Sequence, residues 1–173
     1  MNFKPTMYME SIYHVDFNKI YRMGYRVLLI DLDNTLVPHD VAHPTNESIK
    51  LIESLKSIGF EVVILSNNNE KRVSLFAKPL NVEYMYSTRK PLKFKYLRLV
   101  KKHSYNTSEI LCIGDQIMTD VYGANRLGYA NMLVEPLAKK DILWTKGNRL
   151  LEKLVYNSLA KKNELVRGEF YYE

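Results

Sequence analysis

Short apolar runs alternate with helical segments along this chain, and the alternation leaves few folds open. Residues 26–30, 60–65, 109–113 and 131–134 are predicted to form buried strands, and residues 82–85 a weaker one. Runs that are apolar throughout are typical of parallel strands covered by helices on both faces. The pattern predicts an α/β fold, a three-layer open sheet of about five parallel strands joined by right-handed crossovers.

Local signals mark where the intervening helices begin and end. Thr45 is a predicted N-terminal cap, and Gly59 a predicted stop, for the helix that follows the first strand. Pro79 ends the next helix, because a proline ring cannot continue a helix. Further helices are predicted at about 92–103 and at about 117–127.

The length of 173 residues suffices for one domain with a hydrophobic core and leaves too little chain for a second. We expect a single domain over residues 1–173, with an N-terminal helical extension at about 1–24 and an amphipathic C-terminal helix at about 141–162. About ten residues precede the first crossover helix, and a helix and a strand fill the chain between Ser66 and Lys90. Neither gap has room for a large cap domain.

The first predicted strand ends in two aspartates, Asp31 and Asp33. Alternate residues of a strand share a face, so the two carboxylates lie on the same side. Paired carboxylates beside an apolar strand are costly unless a cation neutralises them, and carboxylate oxygen is a natural ligand of Mg²⁺. One carboxylate could attack phosphorus while the other handles protons. An Asx-type turn is the structural alternative, although a single aspartate would suffice for it.

Polar residues also follow the other strands. Ser66 and Asn67 come after the second strand, where a hydroxyl and the N–H groups that open a helix can bind an anion, although for these residues alone plain helix capping is the better explanation. Lys90 follows the third strand, Asp115 the fourth, and Asp120 lies in the first turns of the next helix. Because the carboxyl ends of parallel strands share one edge of the sheet, these side chains are predicted to meet there.

Positive charge is concentrated in the chain rather than spread along it. Twenty-five Lys and Arg against nineteen Asp and Glu give a net charge of +6. Residues 89–102 contain seven basic residues and no acidic one. A solvated helix face, a nucleic-acid surface, an anionic membrane surface and steering of a phosphorylated substrate all fit such a block. The sequence has no zinc-ligand spacing and no recognisable nucleic-acid-binding motif, which argues against nucleic acid as the partner.

Several features bear on location. No apolar run approaches the ~18 residues of a membrane span, and the N-terminus lacks a signal-peptide apolar stretch. We therefore expect a cytoplasmic protein, with peripheral contact at the inner face of the membrane as an option for the C-terminal helix. The apolar face of that helix comprises Leu150, Leu151, Leu154, Val155 and Leu159, bordered by Lys146, Arg149, Lys153 and Lys161. Packing of this face on the sheet is the alternative, and the favoured one.

The motifs together resemble the haloacid dehalogenase (HAD) superfamily of phosphotransferases. The four motifs of that superfamily stand here as Asp31-Leu32-Asp33-Asn34-Thr35, Ser66-Asn67-Asn68, Lys90-Pro91, and Gly114-Asp115 through Asp120. Further segments, such as Gly123-Ala124-Asn125-Arg126, are similar to subfamily IIIA phosphatases of the YqeG type. Relatives of that group include phosphatidylglycerophosphate phosphatases.

The resemblance implies an Mg²⁺-dependent phosphomonoester hydrolase that works through an aspartyl-phosphate. Asp31 is the implied nucleophile, and Asp33 the implied acid that protonates the leaving oxygen and then activates water. The implied ligands of Mg²⁺ are Asp31, the backbone carbonyl of Asp33, and Asp115.

The resemblance also assigns the remaining strand-end residues. Ser66, Asn67 and Lys90 are the implied phosphate-binding residues, and Ser66 and Lys90 count with the two aspartates as the catalytic set. Thr35 and Asp120 are implied supporting residues.

Three functions remain open on the sequence. The first is dephosphorylation of phosphatidylglycerophosphate in phospholipid biosynthesis, with a phospholipid substrate and peripheral contact with an anionic membrane. The second is a phosphatase for a soluble nucleotide, sugar phosphate or phosphoprotein. The third is a non-catalytic nucleic-acid-binding protein that uses the basic helix.

Overall fold

A six-stranded, all-parallel sheet forms the centre of the molecule. The computed structural model describes residues 2–138 and 146–172, with the backbone alone for residues 146–152. The strands are β1 Met7–Met9, β2 Val27–Ile30, β3 Glu61–Leu65, β4 Glu83–Met85, β5 Ile110–Gly114 and β6 Ala130–Val134. Their order in the sheet is β1-β6-β5-β2-β3-β4.

Helices connect the strands and cover both faces of the sheet. They are α1 Phe17–Arg22, α2 Asn46–Ile58, α3 Glu70–Ala77, α4 Phe94–His103, α5 Tyr122–Asn125 and α6 Lys146–Lys161. Short 3₁₀ turns occupy Ile12–His14 and Thr107–Glu109, and a π-helical turn, Ile117–Val121, leads into α5. The predicted α/β architecture is confirmed, with one strand more than the five that the sequence pattern predicts.

The additional strand comes from the N-terminal segment, for which we predicted only helices. The helical turns Ile12–His14 and Phe17–Arg22 are present, but β1 precedes them and pairs in parallel with β6, Met7 beside Met132. Met7 and Tyr8 are almost fully buried. A strand of three residues is too short to show a period, so its pairing depends on the exposed edge that β6 offers.

Strand β2 lies in the middle of the sheet, and its side chains alternate between two cores. Leu28 and Ile30 pack in one core with residues of α2 and α3, including Ile52 and Phe76. Val27 and Leu29 point to the other core, which contains Tyr96 and Leu99 of α4 and Ala124 of α5. Helices α2 and α3 therefore cover the face of the sheet opposite to α4 and α5, which gives the three layers.

The predicted signals at the ends of α2 are confirmed. The Thr45 side chain accepts a hydrogen bond from the Ser48 N–H, and the Ser48 hydroxyl accepts one from the Thr45 N–H. Together they form a capping box that satisfies two otherwise unpaired donors. Gly59 ends the helix at φ 111°, in the left-handed region that glycine enters without steric cost.

The C-terminal helix packs on the sheet through part of its predicted apolar face. Leu159 is buried in a cluster with Tyr8 and Leu133, and Val155 packs against that cluster, whereas Leu154 is 59% exposed. The predicted beginning of this helix, at 141–145, lies outside the described residues, and so do the side chains of its first turns. In the described ranges, no helix is both long enough and apolar enough to span a bilayer.

Among the described residues, no cap domain covers the carboxyl edge of the sheet. Only a loop leads from β2 to α2, and only α3 and its flanking turns lie between β3 and β4. The ends of β2, β3 and β5 therefore meet at an edge that the connections leave open.

Candidate active site

A buried lysine, Lys90, contacts two carboxylates and one backbone carbonyl at the carboxyl edge of the sheet. Lys90, which follows β4, places its ammonium group in contact with a carboxylate oxygen of Asp31, at the end of β2. It also donates to Asp120 Oδ1 at 2.6 Å and to the Leu65 carbonyl, at the end of β3, at 3.0 Å. An ammonium group has three donors, and these three acceptors use them all.

The surroundings keep this lysine charged. Its side chain is 3% exposed. Burial alone would lower the pKa of Lys90, but the negative charges of Asp120 and Asp31 outweigh it, so the pKa lies well above its ordinary value. The site therefore holds a fixed positive charge between two carboxylates.

The carboxyl group of Asp31 has a raised pKa. Burial raises its pKa to about 7; Lys90 works in the opposite direction, and the nearby charge of Asp120 adds to the rise. A cation beside Asp31 would favour its ionised form. A buried carboxyl with a strongly shifted pKa at the edge of a sheet is typical of a functional site.

Asp120 lies against the backbone of Gly114, the last residue of β5. A Cβ atom built on Gly114 would lie 2.3 Å from Asp120 Cγ, far closer than any ordinary contact. Asp120 Oδ2 accepts hydrogen bonds from the Gln116 N–H at 3.2 Å and from the Thr119 hydroxyl at 3.3 Å, while Oδ1 accepts from Lys90. The lack of a side chain at Gly114 therefore admits the aspartate that holds Lys90.

Asp33 is held by Ser66, a predicted site residue, and by Arg72 and Asn68, to which we assigned no role in the site. Arg72 donates to Asp33 Oδ1 from Nε at 3.2 Å and from Nη2 at 2.8 Å. Asn68 Nδ2 donates to Oδ2 at 3.3 Å, and the Ser66 hydroxyl to the same oxygen at 3.5 Å. The sequence signal that could have identified Arg72 was the cap of α3. The Asn69 side chain accepts a hydrogen bond from the Arg72 N–H, which fixes Arg72 in the first turn of the helix that follows β3.

The side chain of Asn67 organises the loop that carries Lys90. Asn67 Oδ1 accepts from the Lys90 N–H at 2.6 Å and from the Thr88 hydroxyl at 2.8 Å, and Nδ2 donates to the Lys90 carbonyl at 3.4 Å. Its amide is thus engaged by the chain itself. Contact with a phosphate, as predicted for Asn67, would fall to its backbone N–H group.

The predicted metal ligands offer an all-oxygen set. Asp31 and Asp115 follow neighbouring strands, and the Thr35 hydroxyl lies 3.5 Å from Asp115 Oδ1. Within the described ranges, no three His, Cys, Asp or Glu side chains lie together as a metal cluster. The predicted set uses two carboxylates and the Asp33 carbonyl instead, and hard oxygen donors of this kind suit Mg²⁺, which keeps several waters.

The chain is similar to known phosphatases over most of its length. Residues 1–138 match the family described as mitochondrial PGP phosphatase. The "Probable phosphatase YqeG" of Bacillus subtilis (strain 168) is 37% identical over 163 residues, 94% of this chain and 95% of that protein. The chloroplastic/mitochondrial phosphatidylglycerophosphate phosphatase 1 of Arabidopsis thaliana is 23% identical over 150 residues, 79% of this chain and 42% of that protein.

Solved structures agree with the fold. An uncharacterized protein from Listeria monocytogenes serotype 4b has a TM-score of 0.54 at 16% identity, over 73% of this chain and 97% of that one. The D,D-heptose 1.7-bisphosphate phosphatase from B. bronchiseptica, solved with magnesium and phosphate, has a TM-score of 0.50 at 17% identity, over 62% of this chain and 79% of that one. These likenesses support the fold, and the sequence matches fix the family. The chain belongs to the PGP phosphatase family.

Proposed function

We propose that this protein is an Mg²⁺-dependent phosphomonoester hydrolase in which Asp31 forms an aspartyl-phosphate. The observation that carries the proposal is the position of Lys90, a buried cation held between Asp31 and Asp120 at the carboxyl edge of the sheet. A positive charge fixed beside a nucleophile stabilises the negative oxygens of a transferring phosphoryl group. Ser66, which is 1% exposed at the end of β3, would add a hydroxyl donor to those oxygens.

The two carboxylates divide the chemistry between them. An oxygen of Asp31 forms a bond to phosphorus while the bond from phosphorus to the ester oxygen breaks, and Asp33 gives that leaving oxygen its proton. Water then attacks phosphorus, transfers a proton to Asp33 and releases inorganic phosphate from Asp31. Arg72 and Asn68 would hold Asp33 where both proton transfers occur.

Mg²⁺ would be held by Asp31, Asp115 and the carbonyl of Asp33. Bound there, it would supply a second positive charge to the phosphoryl oxygens and favour the ionised form of Asp31. The magnesium and phosphate in the heptose bisphosphate phosphatase structure support this choice of ion.

The proposed substrate is phosphatidylglycerophosphate. The family match and the Arabidopsis thaliana relative support it. The open carboxyl edge also supports it, because the short connections after β2 and β3 leave space for a headgroup that stays attached to a lipid. A deep pocket under a cap would require the substrate to leave its membrane.

The test measures phosphate release from phosphatidylglycerophosphate in mixed micelles and from a panel of soluble phosphate esters. We expect Mg²⁺-dependent release from the lipid, with kcat/KM above that of every soluble ester. Asp31→Asn is expected to abolish release, while Asp40→Asn, an exposed aspartate in the same loop, retains it. Full activity of the Asp31→Asn protein would overturn the proposed mechanism, and preference for a soluble ester would overturn the proposed substrate alone.

A further inference from the structure

Three large apolar side chains are exposed beside the site, at the beginning of α4. Leu92 is 52% exposed, Phe94 72% and Leu97 51%. The opposite side of the same helix is packed, since Tyr96 and Leu99 are buried in the core under the sheet. Clusters of exposed apolar residues on a protein surface mark sites of interaction with another surface.

Positive side chains surround these three residues. Arg89, Arg98 and Lys101 are exposed and Lys93 is half-buried, and in the described part of the chain none of the four forms an ion pair with an acidic side chain. With the apolar residues they form what we call the α4 surface, defined as Arg89, Leu92, Lys93, Phe94, Leu97, Arg98 and Lys101. No residue between 89 and 102 is acidic.

Two other lysines of the basic block are engaged elsewhere. Lys95 donates to the Tyr86 carbonyl and lies over the Tyr86 ring, and Lys102 pairs with Glu83. Both turn toward β4, away from the α4 surface. Phe94, Leu97, Arg98 and Lys101 follow the i, i+3, i+4, i+7 spacing of one helix face, which combines apolar and positive groups.

The α4 surface begins next to the catalytic lysine. Leu92 and Phe94 are two and four residues after Lys90, and four residues of chain span at most about 14 Å. Helix α4 starts where the chain leaves the carboxyl edge of the sheet, so the exposed apolar side chains border the open site.

We propose that the α4 surface docks the protein on an anionic lipid bilayer, with Leu92, Phe94 and Leu97 in the interfacial region and the basic residues on the headgroups. The proposal rests on the proposed function, because a lipid phosphate must reach Asp31 while its acyl chains stay in the membrane. Apolar side chains ringed by Lys and Arg are what an interfacial helix presents to such a membrane. The uniform positive charge selects a negatively charged surface over a neutral one.

The C-terminal helix packs on the sheet, as we favoured from the sequence, and this leaves it less suited to membrane contact. Leu159 and Val155, both on its predicted lipid-facing side, pack against β1 and β6 in the cluster around Tyr8. Leu154 is the exposed residue of that face among the side chains that the structure describes. The proposed membrane contact is therefore assigned to α4 and not to α6.

The experiment measures flotation of the full chain with vesicles of phosphatidylglycerol and phosphatidylcholine, and with vesicles of phosphatidylcholine alone. We expect binding to the anionic vesicles, weakened by salt. One variant combines Leu92→Ser, Phe94→Ser and Leu97→Ser; a second combines Arg98→Gln and Lys101→Gln. Each basic residue near an anionic bilayer raises the affinity for the bilayer about fivefold. The second variant, which lacks two of them, should therefore bind the anionic vesicles about thirtyfold more weakly.

Matched controls carry the same kinds of change elsewhere. Leu154→Ser removes an exposed leucine from α6. Lys50→Gln with Lys78→Gln removes two exposed charges from α2 and the end of α3, on the opposite face of the sheet. Both controls should bind like the unmodified chain, and all variants should keep their melting temperature and their activity on p-nitrophenyl phosphate.

Several results would overturn the proposal. Absence of flotation by the unmodified chain would do so, as would equal weakening by the control variants. Loss of self-association or of a protein complex, with no change in vesicle binding, would assign the α4 surface to a protein partner instead. Vesicle binding through the α4 surface without hydrolysis of phosphatidylglycerophosphate would leave this inference standing and overturn the proposed substrate. Hydrolysis of phosphatidylglycerophosphate in micelles without vesicle binding would leave the proposed substrate standing and overturn this inference.

Discussion

Arg72 donates two hydrogen bonds, from Nε and Nη2, to a single carboxylate oxygen of Asp33. Its remaining terminal nitrogen, Nη1, donates to the Ala42 carbonyl at 3.1 Å, so the guanidinium is anchored to the loop before α2. The Arg72 side chain is 12% exposed and that of Asp33 21%. A planar, partly buried fork of this kind fixes the orientation of a carboxylate more firmly than an exposed ion pair does.

Arg72→Met is therefore expected to impair proton transfer by Asp33. The constant kcat/KM reports the steps up to formation of the aspartyl-phosphate, in which Asp33 protonates the leaving oxygen. For an alkyl phosphate it should fall by about tenfold to a hundredfold. It should change much less for p-nitrophenyl phosphate, because p-nitrophenolate leaves without being protonated. Steady-state assays with the two esters give this comparison.

Lys71→Met is the control for Arg72→Met, because Lys71 is the exposed neighbouring cation. It should leave both kcat/KM values unchanged. Equal losses for the two esters in the Arg72→Met protein would contradict a role in positioning the acid. Such a result would point to a general effect on folding or on phosphate binding.

Gly114→Ala is expected to destabilise the protein and inactivate it. The new Cβ would overlap Asp120, which is 5% exposed and cannot move aside without releasing Lys90. Overpacking of this kind costs about 1–3 kcal/mol in the free energy of unfolding. Urea unfolding measures the loss of stability, and phosphate release measures the loss of activity.

Gly123→Ala is the matched control, in α5. Its Cβ would come no closer than 3.4 Å to Pro91, an ordinary contact. Alanine also favours helix over glycine by up to about 1 kcal/mol, so stability should be unchanged or higher. If Gly114→Ala and Gly123→Ala lower the free energy of unfolding equally, the close contact between Gly114 and Asp120 is not the cause of the destabilisation.

Glu83 connects the end of α4 to β4 and gives a pH-dependent contribution to stability. Lys102 Nζ donates to Glu83 Oε1 at 2.6 Å, and His103 Nε2 lies 2.7 Å from Oε2. Partial burial acts to raise the pKa of Glu83, but the hydrogen bond from Lys102 and the adjacent His103 outweigh it, and the pKa lies below its usual value. The ionised carboxylate therefore stabilises the fold above the unfolded-state pKa, and this is lost as pH falls through the folded-state pKa.

Glu83→Gln is expected to lower the melting temperature near neutral pH. The corresponding loss in the free energy of unfolding should be less than about 1 kcal/mol, as for exposed ion pairs. The difference from the unmodified chain should shrink as the pH falls below the ordinary glutamate pKa of about 4.3 and through the lowered pKa of Glu83 in the folded protein, because the carboxylate is then protonated in both states. Thermal melts over this pH range measure it. Glu53→Gln, at an exposed position of α2, should show little difference at any pH, and a pH-independent loss in Glu83→Gln would contradict the assignment.

Local sequence accounts for much of the fold. The apolar runs of β2, β3, β5 and β6 and the cap of α2 at Thr45 are properties of a few consecutive residues, and the structure has them where they were predicted. Strand β1 escaped prediction because three residues carry no period and its partner, β6, lies over a hundred residues away in the chain. Helix α4 begins at Phe94, two residues later than its apolar pattern suggests.

By itself the sequence determined that Asp31, Ser66, Lys90 and Asp115 stand at strand ends, because polar residues that follow buried runs are a local signal. Only the tertiary structure decided which side chains at this edge form hydrogen bonds with each other. Lys90 meets Asp120, 30 residues on, and Arg72 meets Asp33, 39 residues before it. Contacts at such separations follow from strand order and crossover geometry, in which β2 lies between β3 and β5, and no local pattern of residues encodes that order.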